Sequence, residues 1–397
     1  MSKLNILAFQ LVAGFSILLF SSQASSVAAD NLPTGNTPSS KYTINYTDWN
    51  QILASTVLKT GRSDRRPASR ATFKNTATRI KHGNRKATGL EANRVLFHEF
   101  DDRHEWLLRA VRDDLAAVSD TVPLEKFSKN EQLAYWLNLH NVAVMLAISE
   151  NYPVKNIKRI SKGKRDIWAK KTMSIGGVPT SIRDIEEHVI SNWNNPLVLY
   201  GFYMGAVGGP NIRTTAYTAE TLNKQLQENA TEFVNSLRGV RFWSNEARIS
   251  AHYNLGARYF PNFEEDVRRH MIRYADAPLG QKLEAANTID TARYDWGIAD
   301  LKNGDTYSGS SHNTNPGALV HFIETPNPGR GESATILVFD SYISDPSVVN
   351  YVNPVLAPHV NAFFNKLKER NMLRNRKSNV EIEEIVPAEE DRVSVKK

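Results

Sequence analysis

The sequence predicts an α/β fold of the α+β kind: a helix-rich main domain packed on a small sheet, with a smaller strand-containing C-terminal portion. Three observations predict it. Apolar residues recur at spacings of three and four over several stretches, most clearly between Ser128 and Ile148. Short apolar runs at 240–242 and 247–249 have the length and composition of strands. The chain of 397 residues is 41% hydrophobic and 23% charged, which excludes wholesale disorder. Its length fits two domains, or one large domain with appendages.

Residues 1–29 read as a secretory signal peptide. Lys3 supplies the charged start, and 6–20 is an apolar run too short for an ordinary membrane span. Ala24, Ala28 and Ala29 offer small-residue cleavage sites. No other stretch reaches about 18 apolar residues, so no transmembrane span is expected after cleavage, and the mature chain is expected to be periplasmic or secreted. Residues 30–44, rich in Ser, Thr, Pro and Asn, read as a flexible tether.

The main domain is expected over 45–276. Trp49, Ile52, Leu53 and Val57 share a helical face that Gly61 should end, and a second helical pattern covers 92–118. Ser128 and Glu131 form a capping-box pattern ahead of the most regular helix, which Tyr152-Pro153 stops. Ile175-Gly176-Gly177-Val178 reads as a tight turn between short strands, and Ser181 with Asp184 caps the next helix. The run 198–207 reads as a buried strand leading into Gly208-Gly209-Pro210, and Thr218 as the opening of a longer helix. A further helix is expected over 263–274. The extension 277–380 should hold strands at 292–296, 319–323 and 336–339 and a helix near 360–373, before an acidic tail at 381–397 expected to fray.

Charge and cysteine content restrict function. Lys and Arg total 49 against 42 Asp and Glu, a net charge of +7. Nine bases and one acid, Asp64, fall between Arg62 and Lys86, so this segment carries +8 and the remainder −1. An anionic surface is the partner such a segment would take, and a solvated loop is the alternative. Export makes nucleic acid an unexpected partner. There is no cysteine, which removes disulfides, thiolate metal sites, iron–sulfur clusters and any thiol nucleophile.

The run Ser128-Lys-Asn-Glu131-Gln132-Leu-Ala-Tyr-Trp136-Leu-Asn138-Leu-His140-Asn141 resembles the signature of the family called domain of unknown function 547. Tyr152-Pro153-Val154-Lys155-x-Ile157, Trp168, Ile185-Glu186 and Pro210-x-x-Arg213-x-x-Ala216-Tyr217 continue the pattern in order, over about 49–254. The resemblance implies no established reaction. Many relatives look as if they carry a cysteine-centred site, Asp-Pro-Arg-x-His-Phe followed by Cys-Gly-x-x-Ser-Cys-Pro. Here Leu197, Leu199, Met204 and Gly209 stand at the Arg, His and two Cys positions. A His that directly follows Ile-Glu in relatives is Glu187 here, with His188 one place later, about 100° further around a helix.

The candidate catalytic residues are His140, Glu186 and His188. His140 is a neutral imidazole base or a core histidine, and Glu186 is a carboxylate that orients a histidine or pairs with Arg213. Asn138, Asn141, Arg213 and Tyr217 are candidate ligand contacts or structural ties of neighbouring loops. His98-Glu99 and His104-Glu105 lack the second histidine of a zinc-protease helix and read as surface pairs, and Ser308 to His312 reads as a flexible turn. No phosphate-binding loop, dinucleotide fingerprint or nucleophile elbow occurs, so no cofactor and no metal are expected. Met204 packs as a soft hydrophobe and is no acyl nucleophile. The expected function is a non-catalytic, or cysteine-independent, binding module of the cell envelope that takes a small ligand or an envelope component. The rival is a hydrolase of peptide, ester or glycan bonds using a His/carboxylate site.

Overall fold

The computed structural model describes residues 29, 31–63, 65, 67, 87–89, 91–301, 303, 304 and 381–384. The expected signal peptide up to residue 28, most of the basic segment, the turn from Ser308 to His312, the strands at 319–323 and 336–339 and the helix near 360–373 lie outside these residues.

One helix organises the body. Ser128 accepts the Glu131 N–H at 3.3 Å and starts a helix at Lys129–Ser149. Its residues are buried nearly all round rather than along one stripe, which is how a helix at the centre of a helical layer reads. Against it pack the helices Asp102–Ala116 and Ile182–Asn192. We number the longer helices α1 (Thr47–Thr56), α2 (Asp102–Ala116), α3 (Lys129–Ser149), α4 (Ile182–Asn192), α5 (Leu222–Val234), α6 (Phe263–Tyr274) and α7 (Ala277–Glu284).

The strands are short: β1 (Tyr42–Asn45), β2 (Val57–Leu58), β3 (Arg94–Val95), β4 (Met173–Ile175), β5 (Val178–Thr180), β6 (Val240–Trp243), β7 (Glu246–Ser250), β8 (Thr288–Arg293) and β9 (Glu381–Glu384). Three antiparallel pairs, β1–β9, β2–β3 and β4–β5, accompany a sheet in the order β6-β7-β8, whose β7–β8 pair is parallel. The architecture is α+β. Gly176 and Gly177, at φ +55° and +81°, make the β4–β5 turn in a conformation that a side chain would strain.

The structure differs from the sequence expectations at definite places. The helix expected over 92–118 begins only at Asp102, because Asp101 accepts the Arg103 and His104 N–H groups while Val95 pairs with Val57. The first helix ends at Thr56 rather than Gly61, since Val57 is already extended in that pair. The strand expected over 198–207 is a tight helical turn at Pro196–Gly201, started by Pro196 and by the Asn195 side chain, which accepts the Leu197 N–H. The helix expected from Thr218 begins at Leu222. Only half the capping box at Ser128 forms; Glu131 instead accepts the Ile44 N–H at 3.0 Å.

The terminal segments join the body. Residues expected as a tether bury Leu32, donate Thr37 N–H to Phe127 O, and offer Gly35 O to Gln132 Nε2 at 2.8 Å. Residues 381–384, expected to fray, pair with β1. Beyond residue 276, β8 extends the β6–β7 sheet, and Asn156–Gly297, Ala206–Ile298 and Val95–Asp300 bridge the following residues to two loops and to β3.

The link after α5 is held from both sides. Buried Glu91 accepts the N–H groups of Leu237 (2.8 Å) and Arg238 (2.9 Å) and the Ser63 hydroxyl. Arg65 donates to Ser236 O (3.1 Å) and Val240 O (2.9 Å), so one member of the basic segment serves as a structural clamp. Two N–H groups, one buried and one half-buried, lose their acceptor in Glu91→Ala, so that variant should lose about 2–4 kcal/mol of stability, read as a lowered urea midpoint.

Candidate functional site

Burial of α3 leaves Asn138, His140 and Asn141 to find their partners within the protein. Asn138 donates Nδ2 to Tyr217 O (2.8 Å) and accepts Tyr217 N–H (3.0 Å), filling the backbone pairing of that residue. One turn on, Asn141 donates to Gly201 O (3.0 Å) and accepts Tyr203 N–H (2.9 Å). Both side chains thus hold loops that come from elsewhere in the sequence.

Asn141 also fixes a proton. Its Oδ1 faces Nδ1 of His140 at 2.9 Å, and an oxygen already accepting an amide can only accept again, so Nδ1 bears hydrogen. The other ring nitrogen lies 3.1 Å from Oε1 of Glu186. One further proton therefore sits between His140 Nε2 and Glu186 Oε1, making either an imidazolium–carboxylate pair or an imidazole–carboxylic acid pair. Both side chains are almost fully buried, and the Phe202 ring packs 4.8 Å from the imidazole.

Glu186 also lines a cavity of about 210 Å³. Met204 stands in its wall, with His252, Arg183, Trp168, Tyr294 and Trp296 around it. The backbone bends sharply beside Met204: Gly205 has φ +68°, and a Cβ there would lie 2.2 Å from Ile148 Cδ1. His252 donates Nε2–H to Leu199 O at 2.8 Å, so its Nδ1 is an acceptor, and burial pushes its pKa down to about 4. Arg183 is paired with Asp166 at 2.9 Å. The Ser161 hydroxyl donates to Ile157 O at 2.7 Å. Burial raises the Tyr294 phenol well above its ordinary range, so it stays protonated.

The structure thus brings together His140, Asn141 and Glu186 and separates them from the other candidates. His188 lies about 200° around α4 from Glu186, with its ring 4.7 Å from Trp136 and Nδ1 3.3 Å from Ala29 O. Arg213 pairs with Glu228 (2.8 Å) and not with Glu186, and also donates to Gln225 O and Asn229 Oδ1. The Tyr217 hydroxyl accepts from Asn229 Nδ2 at 3.1 Å. His98 is not a surface residue: its side chain is 1% exposed, 3.6 Å from Asp300. His104, in contrast, completes the cap of α2 with Asp101. Among the described residues no group of three or more His, Asp or Glu is placed to hold a metal ion.

Sequence reasoning did not single out His252, Tyr294 or Trp296. Their only local signals are Ser250, which caps the turn holding His252, and the aromatic spacing Tyr294-x-Trp296, whose rings lie 4.4 Å apart. Neither signal reveals that both segments meet at Met204.

Residues 124–234 match the model of a family described as "Protein of unknown function, DUF547". This stretch is the central part of the resemblance read from the sequence and holds His140, Glu186 and Met204, whereas His252, Tyr294 and Trp296 lie beyond it. No curated protein and no solved structure matches the chain.

Burial also pushes His188 and His270 down to about 4, against an ordinary value of 6.5. With His252, three imidazoles bind protons in the unfolded chain but not in the folded one between those values. Glu131 opposes them, because burial raises its carboxyl to about 7. Three groups outweigh one, so stability should fall as pH drops from about 6.5 towards 4, at up to ~1.4 kcal/mol per pH unit for each net proton. Urea midpoints across that range should show the decline, and His188→Gln should flatten it by about one proton.

Proposed function

We propose that this chain is a cysteine-independent binding module of the cell envelope, exported by its N-terminal segment, and that its ligand sits in the cleft walled by Met204. The observation that carries this reading is the chemistry of the described groups around the cleft. The one hydroxyl of a serine there, Ser161, donates to a carbonyl instead of facing a base. Met204 offers a thioether, and Tyr294 keeps its proton. No nucleophile is paired with a general base, the arrangement that acyl-transfer chemistry needs, whereas a small concave site with aromatic walls and a few fixed polar groups is what ligand binding needs.

A second reading, hydrolysis of peptide, ester or glycan bonds, draws on the shared proton between His140 and Glu186, since a carboxyl edge facing a cleft can act as acid or base. A panel of ester, peptide and glycan substrates separates the two. The binding reading expects no turnover above the buffer rate. Turnover that falls at least about a hundredfold in both His140→Ala and Glu186→Gln would overturn it in favour of the hydrolase.

Export and association with an anionic envelope surface through the segment from Arg62 to Lys86 belong to the same proposal. Fractionation of cells expressing the chain should give a periplasmic or secreted product that starts at residue 25, 29 or 30 and leaves membranes as salt rises. Replacing Arg66, Arg70 and Lys74 with Gln should abolish that salt-sensitive retention, while Arg65 is left in place because it clamps the link after α5. A full-length product in the cytoplasm would refute export.

A further inference from the structure

The walls of the cleft specify a ligand class, an inference that rests on reading the cleft as a binding site. Every charge that lines it has a partner: Glu186 shares a proton with His140, and Arg183 is held by Asp166. His252 is neutral at pH 7, because burial holds its pKa near 4 and its one ring proton goes to Leu199 O. A ligand anion would meet the Glu186 carboxyl without an unpaired cation on the lining. A ligand cation would find the Glu186 carboxyl already committed to His140. Neither sign of net charge finds an unpaired counter-charge among the described lining residues.

The polar atoms on the lining include acceptors, namely the Glu186 carboxyl, His252 Nδ1 and the lone pairs of Ser161 Oγ, and donors, namely the Tyr294 phenol and the Trp168 indole N–H, which has no partner among the described residues. They suit a ligand whose groups both donate and accept, as hydroxyls do. The rest of the wall is largely aromatic, with Trp168, Tyr294 and Trp296, the last two rings tilted 53° to each other. A volume of about 210 Å³ is the share of about seven waters at ~30 Å³ each, below that of drug-sized pockets, so it admits one ring with its substituents. We infer that the cleft binds a single uncharged sugar ring, its flatter C–H face on Trp296 and its hydroxyl edge towards Glu186 and His252. Among the described lining residues Glu186 is the one carboxylate, whereas glycoside hydrolysis ordinarily uses two. The assignment is therefore to sugar binding without cleavage. The aromatic platform lies after residue 234, outside the stretch matched by the family model, so this specificity comes from the chain's own later segment.

Calorimetric titration and quenching of tryptophan fluorescence with N-acetylglucosamine and methyl glucoside test the assignment, with glucosamine and glucuronate as charged counterparts and indole as a flat ring without hydroxyls. The neutral sugars should bind at least about tenfold more tightly than either charged one, and Trp296→Ala should weaken them by about tenfold with its urea midpoint unchanged. Tighter binding of glucosamine or glucuronate overturns the ligand class. Binding of indole alone overturns it too but leaves a binding cleft, while no binding of any of the five probes removes both the class and the binding reading.

Discussion

Because α3 is buried nearly all round, Glu131, Asn138, His140 and Asn141 find their partners inside the protein, and those pairings place the loops that build the site. Asn138 fixes the backbone at Tyr217, Asn141 fixes it at Gly201 and Tyr203, and Glu131 draws in the chain at Ile44. The loop that bears Met204 starts from a position set by Asn141. His140, between the two asparagines in sequence, receives its tautomer from the same residue. Packing and proton placement have one origin, a helix with no solvent face.

The contact between His140 and Glu186 is what this arrangement leaves for chemistry. A buried imidazole and carboxyl that share one proton cost less to bury than either charge alone, because each compensates the other whichever holds the proton. The pair therefore persists where a lone carboxylate would be expelled or protonated. Position 204 decides what it can do. Met204 offers a thioether, which is no acyl nucleophile and shapes the wall of the cavity that Glu186 also lines.

The segment after residue 276 matters more than its sequence suggests. By pairing β8 with β7 and bridging residues 297 and 298 to the loops at Asn156 and Ala206, and residue 300 to β3, it carries Tyr294 and Trp296 to the cleft. A family match that ends at residue 234 covers Trp168, Glu186 and Met204 but not Tyr294 and Trp296.

The sequence by itself determined the α+β class, the helices with strong local signals and the exclusion of thiol chemistry. Capping serines, three-four spacing and the Gly176-Gly177 turn act within a few residues of themselves and are legible without the fold. It also pointed to Asn138, Asn141, His140 and Glu186, because polar groups set in an apolar pattern must be paired. Only the tertiary structure decided which partner each one takes. Glu186 goes to His140 and Arg213 to Glu228, His188 turns towards Ala29, and the apolar run 198–207 folds as turns around Asn141 rather than as a strand. Those choices depend on contacts between residues far apart in sequence, where the energy of burying or pairing a group outweighs its local propensity.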